Sequence, residues 1–182
     1  HITDLGYQLD GYQLRILRSN LGNWLSGAPV SLNTEVGGKT RLQSVYGQDT
    51  WSFADQWKTV LGVRIEEWLA FDGYTTNTSS STSYASRKHS YVSPKAALAY
   101  AATSSTVLKA SVGRAVRTPT VNELYGATTG VLTVVNDPAL RPEKSWTSEL
   151  SLEQNMGFAM LRITGFYEPV RDSLYAERTV VG

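Results

Sequence analysis

The segment Lys58-Thr59-Val60-Leu61-Gly62-Val63-Arg64-Ile65-Glu66-Glu67-Trp68-Leu69-Ala70-Phe71-Asp72 changes character at every step. Its odd positions are apolar apart from Thr59 and Glu67, while its even positions include Lys58, Gly62, Arg64, Glu66 and Asp72. A period of two is the mark of a β-strand with one face in an apolar medium and the other in water. Glu67 breaks the apolar face, which places it near an interface where a charge costs less. Trp68 falls on the wetter face.

The alternation recurs on both sides of this segment. From Ser90 to Tyr100, Val92, Pro94, Ala96, Leu98 and Tyr100 oppose Tyr91, Ser93, Lys95, Ala97 and Ala99. Further on, Leu108, Ala110 and Val112 oppose Lys109, Ser111 and Gly113; Leu150 and Leu152 oppose Glu149, Ser151 and Glu153; Leu161 and Ile163 oppose Arg162 and Thr164. Tyr7–Arg18 and Thr40–Phe53 are weaker strands, and apolar residues at helical spacing are hard to find. The chain therefore reads as all-β, with about seven strands, or eight if Ser173–Val181 adds another.

Connection lengths separate the possible all-β architectures. Phe53–Trp57, Ala102–Thr106 and Gln154–Phe158 read as tight turns, whereas Asn20–Gly38, Gly73–Ser86 and Pro119–Ser145 read as long, Gly/Ser/Thr/Asn-rich loops. Soluble sandwiches use short connections throughout. Short turns on one rim and long loops on the other are the habit of outer-membrane barrels. Aromatic residues support this: Trp51, Phe53 and Trp57 bracket one tight turn, and Trp68, Phe71 and Tyr74 approach the opposite end, as two interfacial girdles would require.

Composition removes several functions. A net charge of +1 leaves no basic excess for nucleic acid, and the absence of cysteine removes thiol catalysis and Cys-ligated zinc. His1 and His89 are the only histidines, and nothing is spaced to make His89 a metal ligand or part of a triad. Gly37-Gly38-Lys39-Thr40 lacks the first glycine of a phosphate loop, and Glu66-Glu67 points to opposite faces of a strand. No catalytic site and no cofactor are expected.

One set of motifs narrows the reading further. Tyr46-Gly47-Gln48-Asp49-Thr50-Trp51 followed by Leu61-Gly62-Val63-Arg64, then Ser93-Pro94-Lys95 and Tyr100, open the series. Ala110-Ser111-Val112-Gly113-Arg114-Ala115-Val116-Arg117-Thr118-Pro119-Thr120-Val121-Asn122-Glu123-Leu124-Tyr125 continues it, followed by Asn136-Asp137-Pro138-Ala139-Leu140-Arg141-Pro142-Glu143-Lys144-Ser145 and Glu149. From Tyr46 onward the chain resembles the barrel of TonB-dependent outer-membrane receptors. Glu168-Pro169 is an awkward insertion for the next strand of that pattern.

The resemblance implies a segment of an antiparallel transmembrane barrel of about 22 strands. The N-terminal plug of such receptors and its TonB-engaging box are not among these residues, so the chain is expected to be an internal or C-terminal stretch. It implies outer-membrane lipid, the TonB system acting through the plug, and a small-molecule ligand such as a ferric siderophore as partners. It implies TonB-energised uptake and not catalysis. Trp24, Tyr74, Tyr84 and Tyr125 are loop aromatics able to stack on a ligand. Arg114, Arg117, Pro119, Glu123, Leu124, Tyr125, Asn136, Leu140, Pro142, Glu143 and Glu149 are expected to be structural: either arginine could reach Glu123, Glu143 or Glu149 and anchor the long loop, Pro119 would end a strand, and Asn122–Leu124 could form a helical turn. The alternative is a small closed barrel of about eight strands with an adhesive or structural role, in which Ser173–Val181 would pair with Tyr7–Arg18.

Overall fold

The computed structural model describes residues 1–23, 25–126 and 136–174. Its elements are β1 (Ile2–Leu21), β2 (Pro29–Ala54), β3 (Trp57–Asn77), β4 (Ser81–Tyr84), β5 (Arg87–Ala101), β6 (Thr106–Arg117), α1 (Val121–Tyr125), β7 (Glu143–Asn155), β8 (Met160–Tyr167) and β9 (Val170–Arg171). Seven of the strands form one antiparallel path in the order β1-β2-β3-β5-β6-β7-β8, with β4 added to β3 and β9 to β7. Neighbours in sequence are neighbours in the sheet, as in an up-and-down barrel wall. Among the described residues β1 pairs with β2 alone and β8 with β7 alone, so the sheet is open at both edges. Residues 175–182, which hold most of the possible eighth strand, lie outside the described residues.

The tight turns stand where the sequence puts them. At the β7–β8 turn Gly157 takes a φ of 86°, which a side chain would resist, and its amide donates to Asn155 Oδ1 at 2.8 Å. The segments Asn20–Gly38 and Gly73–Ser86 differ from expectation. β2 begins at Pro29 and pairs with β1 up to Leu21, so most of the first expected loop is strand. In the second, β3 runs to Asn77 and β4 pairs back onto it, with the tip held by Asn77 Oδ1 accepting the Ser79 and Ser80 amides. Ser, Thr and Asn read as loop residues by composition, yet along a paired edge their backbones complete the ladder. A strand as long as β2, with 26 residues, far exceeds the ~9–11 residues a bilayer needs. The wall is therefore considerably taller than one bilayer.

A bulge fixes which residues face which way at that upper end. The β2–β3 register slips between Gly37 and Lys39, and Asp72 sits at a φ of 53°. The extra residue inverts the alternation, so Gly73 rather than Tyr74 continues the face of Trp68 and Ala70. At the other end of the chain Glu168-Pro169 closes β8, and β9 resumes pairing with β7.

Candidate functional site

The two faces of the sheet differ in kind. On the outer face Leu61 (56% exposed), Ile65 (50%) and Leu150 (64%) lie bare, along with Val63, Val92, Val112 and Ile163. Cross-strand rows such as Thr59–Leu98–Ala110–Leu150 continue this surface from strand to strand. A water-soluble protein would bury it; a patch this large marks contact with an apolar medium or partner. Below it runs a ring ladder: His1–Trp51 at 5.2 Å, Trp51–Phe53 at 5.4 Å, Phe53–Trp57 at 6.1 Å and Trp57–Tyr100 at 4.4 Å. Above it lies Glu67, bound to Lys88 at 2.7 Å and to Gln43 at 3.0 Å. Ten steps of ~3.3 Å along β3 separate Trp57 from Glu67, and with a tilt of ~40° they rise ~25 Å, the height of a lipid-facing band. Aromatic and ionic borders thus bracket one hydrocarbon thickness.

The inner face is polar and cross-linked. Arg64 donates to Glu66 at 3.0 Å and to Gln8 at 2.7 Å, Ser93 donates to Glu66 at 3.2 Å, and the Arg64 guanidinium lies over the Tyr46 ring. Lower down Glu153 binds Lys109 at 2.7 Å and Arg162 at 2.8 Å, tying β6, β7 and β8 together. An inner concavity of about 530 Å³ is lined by Asp4, Tyr46, Arg64, Ser93, Lys95 and Arg114, among others. A larger one, of about 720 Å³, lies among Leu5, Leu61, Pro94, Ala96 and Val112 on the apolar outer face.

Above the polar wall the inner face carries a small apolar core. After β6 the chain turns inward at Pro119, and α1 lies across the inner faces of β1, β2 and β3. Leu124 is 0% and Tyr125 3% exposed, packed with Val121 against Trp68 (1%) and Ala70. Four such side chains at ~1.5–3 kcal/mol each give roughly 6–12 kcal/mol before the cost of ordering the segment. Trp68 is therefore no girdle residue: it faces inward and is roofed by α1.

Local chemistry explains the helix. Thr120 caps it, its hydroxyl accepting the Glu123 amide at 3.2 Å while Glu123 accepts the Thr120 amide at 2.8 Å. This reciprocal box satisfies two orphan donors. Arg117 adds a 2.7 Å ion pair to Glu123. Burial pushes the Glu123 carboxyl up, but the Thr120 amide, Arg117 and the Thr120 hydroxyl together outweigh it and hold the group below its ordinary range. Burial raises the Tyr125 phenol.

The Tyr125 ring sits between two glycines. A Cβ on Gly38 or on Gly73 would collide with it. Tyr84 stacks on it at 5.7 Å. Beyond the gap in the described residues, Asn136 donates to the Gly126 carbonyl, Arg87 donates to the Pro138 carbonyl at 2.6 Å, and Leu140 packs against the core. Arg87 also lies over the Trp68 ring.

The remaining motif residues have specific places. Arg114 reaches none of the three glutamates proposed for it: it donates to the Val92 carbonyl at 2.8 Å, where the β5–β6 ladder stops after Lys95–Gly113. Pro94, lacking an N–H, follows immediately, and Arg114 satisfies an acceptor that the lost ladder leaves open. Glu143 accepts the Leu174 amide at 3.0 Å, Pro142 is buried, and Glu149 is exposed in β7 opposite Ser111. Of the four loop aromatics, Tyr84 and Tyr125 are brought together. Tyr74 is turned to the other face by the bulge, where its hydroxyl donates to Glu35 at 2.9 Å, and Trp24 lies outside the described residues. Arg15 also binds Glu35, at 2.8 Å; these two bonds hold the Glu35 carboxyl below its ordinary range.

A bare apolar band, a charged inner wall and a loop folded inward give a reason to compare the chain with known proteins. The family described as TonB dependent receptor-like, beta-barrel matches residues 2–182. The chain belongs to this family. Among solved structures the copper transporter OprC is similar to it, with a TM-score of 0.67 and 17% identity. The alignment covers 94% of the present chain and 28% of OprC, so the chain spans well under half the length of that protein. At that identity the likeness shows the fold alone. No curated protein matches the chain. The fold is that of a wall segment of a TonB-dependent receptor barrel, with an apolar outer face and a polar inner face.

Proposed function

We propose that this chain is part of the wall of an outer-membrane receptor that takes up a scarce small molecule at the expense of TonB-coupled energy, without catalysing a reaction. The observation that carries the reading is the opposition of its faces: a lipid-height apolar band outside, and inside a charged wall with a loop packed on it. The TonB system would act through a plug domain seated in the completed barrel. A ferric siderophore is the cargo class to test first, and copper, which OprC is named for transporting, is the second.

The test is uptake in cells lacking the full-length protein, with and without complementation, using ⁵⁵Fe loaded on a panel of siderophores and, separately, ⁶⁴Cu(II). The reading expects one probe to depend on both the receptor and TonB. Uptake of every probe that is equal with and without the receptor would overturn it.

A further inference from the structure

The roof over Trp68 invites the idea of a lid that swings away when cargo arrives. The geometry points instead to a fixed strap: we propose that α1 is a permanent part of the inner wall, and that cargo passes its open polar edge, formed by Arg117, Thr120 and Asn122. The proposal deepens the uptake reading and rests on it for the part that concerns cargo.

Three independent features hold the strap. Its apolar side is sealed, with Pro119 and Leu124 below 2% exposed, Tyr125 at 3% and Val121 at 8%. Its tongue, Tyr125, occupies a slot that exists only because Gly38 and Gly73 carry no side chains on two adjacent strands. Its exit is pinned, because Asn136 holds the Gly126 carbonyl and Arg87 holds the Pro138 carbonyl from the wall. A lid that opens on each cycle belongs to the weakly packed end of a structure, with few buried apolar contacts. This segment instead supplies Val121, Leu124 and Tyr125, three of the six buried hydrophobic residues of the described chain. What it leaves open to water is Thr120, Asn122 and the Arg117 guanidinium, which donates to Glu123 and keeps further N–H groups free for an acceptor. Cargo bearing carboxylate or other oxygen acceptors would find its partners there.

The chain contributes no cysteine of its own to compete with an introduced pair. A Cβ on Gly38 would stand 3.0 Å from Cγ of Tyr125, about the distance between a Cβ and the far sulfur in a disulfide. In the full-length receptor, Gly38→Cys with Tyr125→Cys is expected to cross-link nearly completely. In the unsubstituted receptor, hydrogen exchange at Val121–Tyr125 is expected to be as slow as in β3. Uptake of whichever probe the receptor imports, ⁵⁵Fe-siderophore or ⁶⁴Cu(II), should differ less than two-fold between the cross-linked and reduced forms. Asn122→Lys should change the KM for that probe at least five-fold, with surface amount and heat-resistant barrel migration unchanged.

Four results would overturn the proposal: cross-linking of only a few per cent, exchange at α1 as fast as in an exposed loop, uptake that falls ten-fold on oxidation and returns on reduction, or an unchanged KM in Asn122→Lys. If the receptor imports neither probe, the uptake reading fails by itself, and the strap is still judged by cross-linking and exchange.

Discussion

Trp57 and Trp68 lie on the same strand, and their surroundings have almost nothing in common. Trp57 stands on the outer face in a row of rings with Phe53 and Tyr100. Trp68 is 1% exposed on the inner face, beneath Leu124 and the Arg87 guanidinium. Eleven positions apart, they have opposite parity, and a strand sends opposite parities to opposite solvents. The lesson is that apolar residues here serve two purposes. Outside they match lipid, which is as apolar as they are, so tight packing matters little. Inside they displace water and must fit one another.

The sharpest way to break this comparison is to cut a side chain on the inside. Leu124→Ala should cost about 2–5 kcal/mol, because the cavity is closed on all sides, whereas Leu61→Ala should cost far less. Unfolding of the full-length receptor in detergent or lipid by guanidinium checks both. Equal losses would mean that Leu61 also packs against protein. Next in size is a charge on the outside: Leu61→Arg should cost about 2–4 kcal/mol in bilayers, since the position lies mid-band, and much less in water-filled surroundings. Comparing that substitution with Gln48→Arg, across the wall on β2, reads the difference between faces directly.

Smaller again is the cap of the strap. Glu123→Gln should weaken α1 by about 1 kcal/mol, seen as faster hydrogen exchange at Val121–Tyr125. Because the Glu123 carboxyl is held below its ordinary value in the folded protein, its stabilising effect is complete at neutral pH. It fades as the pH falls through that lowered value. Protection of the α1 amides, taken relative to their intrinsic exchange at each pH, should therefore weaken as the pH falls through that lowered value, and this acid response should shrink in Glu123→Gln. The smallest effect is expected at the outer ring row. Trp57→Leu keeps apolar contact but loses the 4.4 Å stack on Tyr100, at about 0.5–1.5 kcal/mol by the same unfolding measurement.

Much of this was legible along the chain because strand parity is a local property. Lys58–Asp72 alone separates the lipid side from the wet side, and Glu67 is at the border its polarity implies. The helical turn at Asn122–Leu124 follows from Thr120 and Glu123, which lie within one turn of each other. Other readings differ from the structure, including the girdle place of Trp68 and the loop at Gly73–Ser86. Asn20–Gly38 reads as loop by composition, but pairing with β1 makes Pro29–Gly38 strand. Tyr74 was grouped with Tyr84 and Tyr125 by position, and a single inserted residue at Asp72 turned it to the other face. Of the two arginines expected to reach a glutamate, Arg117 does so at Glu123, whereas Arg114 donates to the Val92 carbonyl two residues before Pro94.

The amino-acid sequence by itself determined the all-β class, the two-sided strands and the motifs of the family, because each depends on residues a few positions apart. Only the tertiary structure decided that the segment after β6 folds inward to roof Trp68, and that Gly38 and Gly73 are there to admit a tyrosine. Those contacts join residues that are far apart in the chain, and no local pattern records which distant surface a ring will find. That choice is made by the space the other strands leave and by the burial gained in filling it.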